Sequence, residues 1–437
     1  MDDARRFAAP KSGGWITRRL SFGLSRELWL VQIGIFWNAL GWGAVLPFEV
    51  IYLHDGRGFS LGAAGLIVGT LTGVAVGAAP LAGPLIDRFG ARAAAAGAGL
   101  ALGVGYAGLA FAHTEGVAFA AAAVAGAGNG ALQPAQSTLL AALAAPDLRH
   151  RATAVSRVCT NAGFGFGGAL GGLIASYGLS GLMALFLFNA ATYVAYVAVL
   201  IAVVRKAPPP QAIGGGYRQV LRDLAFLRLA VANAVIIAVG WGIFSWIVPL
   251  YAKNEIGVGS QLIGLLLLAN AMTVVGLQVP VARLAEGRRR VVMMAVGGAV
   301  FAAAYLVILA PREIGGGGYA ALVAASIAIG VGECFHTAVL MPLVADLAPP
   351  GIRGRYMATM GLSWWSGLAL GPIIGTQLLD ISPALMFGSC AVAASAASAS
   401  ILALEQRLPD ASRHTPRPQP AAVKTLAHCS STASSRE

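Results

Sequence analysis

The chain has 437 residues, 57% of them hydrophobic and only 11% charged. A soluble domain carries about 25% charged residues, so the composition excludes an ordinary soluble enzyme and points to a helical membrane bundle. The net charge is +12, but the basic residues sit in short clusters between apolar runs, not along one face with aromatics, which excludes a nucleic-acid surface. The four cysteines (Cys159, Cys334, Cys390, Cys429) include no CxxC and indicate neither a zinc site nor a disulfide scaffold.

A membrane span needs about 20 mostly apolar residues. Residues 1–27 are a basic segment with Arg5, Arg6, Lys11, Arg18 and Arg19. The apolar run that follows is far longer than a signal-peptide core, and no clean cleavage site follows it, so it reads as an uncleaved first span. The first six runs are Leu28–Leu53, Leu61–Ala82, Ala93–Ala112, Gly116–Ala144, Ala152–Tyr177 and Gly181–Val204. Residues 205–226, with Pro208 to Pro210 and Gly214 to Gly216, form the one long connection. Six more runs follow: Leu227–Tyr251, Gln261–Leu284, Val291–Ala310, Tyr319–Leu347, Tyr356–Leu379 and Pro383–Leu404. The tail from 405 to 437, rich in Pro, Ser and Ala, reads as disordered. Lys and Arg crowd one side of the spans, the side of the N-terminus, the central linker and the tail. The other side has only Arg57, Lys253 and Arg312. The positive-inside rule therefore places both termini in the cytoplasm, and an Ala-, Gly- and Arg-rich composition suits a bacterial inner membrane.

The chain also matches itself. Gly41, Trp42, Gly43, Tyr52, Gly58, Gly65 and Asp87 return 199 positions later as Gly240, Trp241, Gly242, Tyr251, Gly257, Gly264 and Glu286. At a shift of 204, Arg149, Arg151, Gly163, Gly167 and Gly171 return as Arg353, Arg355, Gly367, Gly371 and Gly375. The expected fold is an all-α membrane protein of twelve transmembrane helices in two pseudo-symmetric six-helix bundles, residues 28–204 and 227–404. Such repeats place a site between the halves and a rocking motion about it.

Between spans two and three stands Gly83-Pro84-Leu85-Ile86-Asp87-Arg88-Phe89-Gly90-Ala91-Arg92. It resembles the G-x-L-x-D-R-x-G-x-R/K loop of the major facilitator superfamily. The resemblance implies that Gly83, Asp87, Arg88, Gly90 and Arg92 form a cytoplasmic latch that holds the halves together when that side is closed. It also implies that spans one, four, seven and ten line the central cavity. Gly163, Gly167 and Gly171, like Gly367, Gly371 and Gly375, stand four apart on one helix face, where small residues let backbones meet. Gly371-Pro372-Ile373-Ile374-Gly375 resembles the G-P-x-x-G kink of the family's drug–proton antiporters. Those exporters carry it in span five, where this chain has Gly168 in place of Pro. Their span-four motif has an Arg where this chain has Ala122. Both departures weigh against the antiporter subtype, not against the fold.

Enzyme motifs fail on context. Gly58-Phe59-Ser60-Leu61-Gly62 precedes a helix without a strand before it, and Ser60 suits a helix cap. The G-x-G-x-x-G match at Gly163 to Gly168 also lacks a strand. No P-loop occurs, so no nucleotide is expected as partner and no cofactor is expected. The energy source is then an ion gradient, a substrate gradient or a partner.

Ionisable groups within spans are expensive, at about 2.5–3.5 kcal/mol for Asp, Lys or Arg at mid-helix. Glu49 and Glu333 are the deepest acids and the candidates for proton coupling, because burial and neighbouring groups retune a carboxyl's proton affinity. The competing readings are a shallow, solvated Glu49, and a Glu333 that bonds a neighbouring helix or pairs with Arg157. Polar and aromatic side chains form stripes. Asn38, Trp42, Glu49 and Tyr52 share a face of span one, and Trp241, Phe244 and Tyr251 one of span seven. Asn129, Gln133 and Gln136 align in span four, and His336 and Thr337 follow Glu333 by one turn in span ten. These stripes suit a cavity for an amphipathic organic molecule. The expected activity is proton-coupled export of small amphipathic compounds by a monomer. The alternatives are proton-linked uptake of a sugar or other metabolite, and a non-transporting sensor of the same fold.

Overall fold

The computed structural model describes residues 24–144, 149–204, 217–309, 317–349 and 352–415. Twelve long helices follow one another among them. They are α1 (Arg26–Gly56), α2 (Leu61–Phe89), α3 (Ala91–Ala110), α4 (Glu115–Leu143), α5 (Arg149–Ala175) and α6 (Leu179–Val203). Then come α7 (Leu224–Asn254), α8 (Ser260–Ala285), α9 (Arg290–Leu309), α10 (Gly317–Leu347), α11 (Arg353–Ile381) and α12 (Pro383–Ala403). Ten are long and apolar enough to cross a membrane. The other two, α4 and α11, have 29 residues each but carry more polar side chains, such as Gln133 and Gln136 in α4.

The helix starts follow local chemistry. Ser25, Ser60, Thr114, Asp223 and Ser382 each accept a hydrogen bond from a backbone N–H of the first turn of α1, α2, α4, α7 and α12. These caps satisfy N–H groups that a helix start otherwise leaves open. Gly58 and Gly257, one repeat apart, both take positive φ (76° and 75°) after α1 and α7, a conformation natural to glycine.

One expectation changes at α2. The decapeptide from Gly83 is not a loop: the helix runs on through Pro80 and Pro84 to Phe89, and Gly90 alone, at φ 83°, turns the chain into α3. A second change concerns the tail. Residues 405–415 are ordered: Glu405–Arg407 and Asp410–Arg413 are short helical turns. Arg289 pairs with Glu405, and His414 and Thr415 bond to Arg289 and Arg288. The Arg289 side chain and the backbone of Arg288 and Arg289, between α8 and α9, give the tail its anchor. Residues 416–437, 1–23 and most of the central linker lie outside the described residues.

The packing carries the repeat into three dimensions. In the first half α1 lies on α5 and α6, α3 on α4 and α6, and α2 on α4. In the second half α7 lies on α11 and α12, α9 on α10 and α12, and α8 on α10. The two most extensive contacts between the halves, α2 with α11 and α5 with α8, also exchange under the two-fold.

The halves touch unequally along their length. On α2, a Cβ at Gly62, Gly65 or Gly69 would strike Gln377, Thr376 and Pro372, or Ile373 of α11. One at Gly73 or Gly77, nearer the Arg-rich end, would meet nothing within 4 Å. On α8, Gly264 lies against Gly168 of α5, whereas Gly276 faces open space. The halves are therefore closed together at the end remote from the termini and splayed apart at the basic end.

Candidate functional site

The two helices that meet at the closed end, α1 and α7, are also the irregular ones. In α1 a 3-10 turn at Leu46–Phe48 precedes a π turn at Tyr52–Gly56. In α7 a π segment spans Ala238–Ile247. Pro47 sits in the 3-10 turn and Pro249 directly follows the π segment of α7, and neither can donate to a regular ladder. Such windings re-aim side chains and recur at functional sites.

An aromatic row crosses between the halves there. Trp42 of α1 meets Phe164 of α5 edge-on at 5.5 Å between centroids. Phe164 meets Trp241 of α7 at 5.8 Å, and Trp241 meets Trp364 of α11 at 5.4 Å. Trp42, Trp241 and Trp364 remain partly exposed, as the floor of a gap open above them requires. Aromatic faces and edges offer both apolar area and a quadrupole for cationic or amphipathic molecules.

Glu49 lies beyond this floor, toward the closed end. It is only 2% exposed. Its Oε1 accepts from the Tyr106 hydroxyl of α3 at 3.0 Å, and its Oε2 from the Trp246 indole of α7 at 2.8 Å. This rules out a shallow, solvated carboxyl. Nearer the surface, Asp55 of α1 accepts from Lys253 (2.7 Å) and Asn254 (3.3 Å) of α7. Two polar ties thus join α1 to α7 at the closed end.

Glu333 is 5% exposed and belongs to the second half. Asn270 of α8 donates to its Oε1 at 3.2 Å, and Trp241 approaches the same carboxyl. It does not pair with Arg157, which is exposed on α5. One turn on, the His336 Nε2 lies 2.8 Å from Asn233 Oδ1 of α7; Asn233 donates to Ser363 of α11 at 2.8 Å, and Ser363 to the Ala230 carbonyl at 2.6 Å. This chain ties α10, α7 and α11 together.

The sequence stripes divide accordingly. Trp42 and Glu49, Trp241 and Glu333 stand at or beside the junction. Tyr52 and Tyr251 do not line the gap. Tyr52 is fully buried, bonds the Ala110 carbonyl of α3 at 2.5 Å and packs on Phe186 of α6; Tyr251 packs on Phe387 of α12. Asn38 also turns inward, 6% exposed, and Phe244 is 3% exposed. The physical reason is that each half fills its own core with an aromatic cluster. Tyr106 joins Tyr52 and Phe186, and Tyr305 stacks on Phe387. On α4, Gln133 is exposed and Asn129 and Gln136 are half-exposed. Thr337 is exposed and donates to Gln278 of α8 at 3.3 Å.

The small-residue stripes face the helices they let in. Gly163, Gly167 and Gly171 sit against the α1 backbone at Phe36, Leu40 and Ala44. Gly367, Gly371 and Gly375 sit against α7 at Ala234, Gly242 and Ile247, and the carbonyl of Pro372 accepts from Thr376. In the latch motif, Gly83 has no close neighbour, Arg88 is exposed over the Phe89 ring, and Arg92 donates to the Ile201 carbonyl of its own half at 2.8 Å. The side chain of Asp87 lies outside the described residues.

Sequence reasoning missed Tyr106, Trp246, Asn270 and the Asn233–Ser363 chain. Tyr106 and Tyr305 stand 199 positions apart, so the repeat offered a signal for the first. The partners of the acids come from helices far away in sequence and carry no local signal.

The family model described as Major Facilitator Superfamily matches the chain over residues 31–232 and again over 229–435. The MFS-type transporter YttB of Bacillus subtilis (strain 168) is 26% identical over 366 residues, 82% of this chain and 89% of that protein. The multidrug resistance protein MdtH of Aeromonas salmonicida (strain A449) is 26% identical over 356 residues, 79% and 85% of the two chains. Among solved structures, a mutant of the peptide transporter POT with alafosfalin bound superposes with a TM-score of 0.74 at 19% identity, covering 93% of this chain and 98% of that one. A mutant of the nucleoside transporter NupG gives 0.68 at 12% identity, covering 87% and 100%. These structural likenesses speak to the fold.

Proposed function

The chain belongs to the major facilitator superfamily, and we propose that this transporter couples proton entry to the export of small amphipathic compounds by alternating access. The observation that carries the proposal is Glu49, a buried carboxyl held by α3 on one side and α7 on the other. A proton carrier needs an acid whose surroundings change when the halves move. Glu49 meets that condition, because opening the closed end would part α1 from α7 and admit water to the carboxyl.

The distribution of Lys and Arg supports a cytoplasmic basic end. On that assignment the splayed end faces the cytoplasm, and the structure corresponds to the loading state of an exporter. A substrate entering from the cytoplasm would rest on Trp42, Trp241 and Trp364. An unpaired charge sealed inside protein costs several kcal/mol. A proton taken up by Glu49 from outside removes that charge as the far side closes, and Glu333 beside Trp241 offers a second carboxyl to sense the substrate. The similarity to a multidrug resistance protein supports this substrate class over sugars.

Everted membrane vesicles test it. With the interior made acidic, fluorescent lipophilic cations and neutral antibiotics should accumulate inside, and an uncoupler should abolish the accumulation. Lack of uptake for every compound, together with accumulation of a sugar or other metabolite by intact cells, would replace export with import.

A further inference from the structure

In the first half, the packing of α6 on α1 buries a stripe of polar side chains. Along α6, Asn189, Thr192, Tyr193 and Tyr196 recur at three- and four-residue spacing on one face, and Gly41 and Gly34 of α1 bring the two backbones in against Thr192, Asn189 and Tyr196. Asn38 stands between those two glycines on α1. Asn38 is 6%, Asn189 0% and Tyr196 1% exposed, yet neither amide atom of Asn38 has a hydrogen-bond partner, and the Asn189 amide and the Tyr196 hydroxyl, with Tyr106 and Gln136 close by, reach no partner in full hydrogen-bond geometry. Buried polar groups are nearly always satisfied, and leaving one bare costs about 1–3 kcal/mol. Five such atoms in one helix interface call for ordered water, which binds where two to four polar partners converge.

The seam has two ends. At one, Tyr106 donates to Glu49, stacks on Tyr193 at 6.1 Å and lies beside the Asn189 amide. At the other, half-exposed Gln136 of α4 approaches the Tyr196 hydroxyl. From Asn189 to Tyr196 the helix rises about 10 Å. The internal repeat supplies a control. The matching contacts Tyr52–Phe186 and Tyr251–Phe387 align α6 with α12 at a shift of 201, so the positions that correspond to Asn38, Gln136, Asn189 and Tyr196 are Ile237, Leu340, Cys390 and Ala397, an apolar set, while Tyr106 keeps its mate Tyr305. The polar seam is thus confined to the half that holds Glu49.

We propose that water fills this seam between α1, α3, α4 and α6, and that it conducts protons between Glu49 and the gap at the basic end, apart from the substrate's path. The titratable groups that face it are Glu49, Tyr106, Tyr193 and Tyr196; the exposed Arg157 of α5 does not. A proton passes as a hydronium relay, each water taking one proton and passing on another, and the net step is release of the Glu49 proton to the gap. The transport role rests on proton coupling at Glu49; the hydration does not.

Radiolytic hydroxyl labelling of the full-length protein in lipid nanodiscs tests the water. Tyr106 and Tyr305 are both 0% exposed, so bulk access cannot distinguish them. The seam requires oxidation of Tyr106 and Tyr196 with Tyr305 protected; Tyr106 as protected as Tyr305 would mean a dry seam and overturn the proposal. The proton route is tested by Asn189→Leu in vesicles. Loss of gradient-driven uptake with retained substrate-for-substrate exchange, which moves no net proton, is expected. If Asn189→Leu keeps full coupling while Glu49→Gln loses it, the seam is not the route and the Glu49 reading survives. If Glu49→Gln also keeps full coupling, the route falls together with the Glu49 reading, whatever the labelling shows.

Discussion

The indole of Trp246 donates a 2.8 Å hydrogen bond to Glu49, and that bond joins a helix of one half to a helix of the other. Bonds to a charged partner contribute about 1.5–3 kcal/mol. The closed end is therefore held in part by the group proposed to couple protons, and on that proposal protonation and the position of the halves are linked by the same contact.

Replacing Trp246 by Phe keeps the ring and removes the donor. The closed end should then lose about 1.5–3 kcal/mol, a shift of roughly 10–100-fold in the open-to-closed ratio. Pulsed electron resonance between spin labels on exposed Leu179 and Leu385, at the closed end of each half, should show a longer distance gaining population. An unchanged distribution would mean that the bond does not bear on the gate.

Glu49→Gln preserves an acceptor for Trp246 and Tyr106 but cannot ionise. Gradient-driven uptake in everted vesicles should fall to background, while exchange without a gradient persists and membrane levels stay normal. Glu333→Gln should also lose coupling if the second carboxyl shares the proton. Full activity in both variants would remove these acids from the mechanism.

The partly exposed pair Asp55–Lys253 should matter far less. Such ion pairs contribute about 0–1 kcal/mol, and salt screens them. Asp55→Asn should change the transport rate by less than about fivefold, and the difference should shrink in high salt. A larger, salt-insensitive effect would give this pair a role that its exposure does not suggest.

The sequence carried the architecture further than the site. Apolar runs and self-similarity located twelve helices and their two-fold relation, because both are properties of the chain itself. The stripe on span one placed Trp42 and Glu49 together, yet it also swept in Asn38 and Tyr52, which face α6 and α3. A helical face predicts neighbours along one helix but not which other helix that face will meet. The π segments in α1 and α7, and the donors to Glu49 from α3 and α7, are tertiary outcomes. The extension of α2 through Pro80 and Pro84 was hidden because proline inside a helix reads as a break.

The aromatic floor should govern affinity more than turnover. Aromatic pairing contributes about 0.5–1.5 kcal/mol beyond area, so Trp364→Leu, which retains apolar bulk, should raise the KM for an aromatic cation by roughly 2–10-fold. A KM unchanged for every transported compound would place the substrate elsewhere.

The splay of α2 from α11 yields the sharpest test of alternating access. Gly62, Gly65, Gly69 and Gly73 lie at three- and four-residue spacing on one face of α2. The first three already touch α11, and the fourth meets nothing. If the halves rock about the floor, closing the basic end must bring the stretch around Gly73 toward α11. A leucine there would find space in the present state and obstruct the other. Gly73→Leu should therefore fold, with a melting temperature near that of the unaltered protein, yet transport should be lost and spin labels across the basic end should stay far apart in all conditions. Gly65→Leu, by contrast, would press on Thr376 and the Pro372 backbone now and should reduce stability outright, since overpacking costs about 1–3 kcal/mol. Normal transport by Gly73→Leu would mean that α2 and α11 never close at that level, and the rocking motion would have to be placed at α5 and α8 alone.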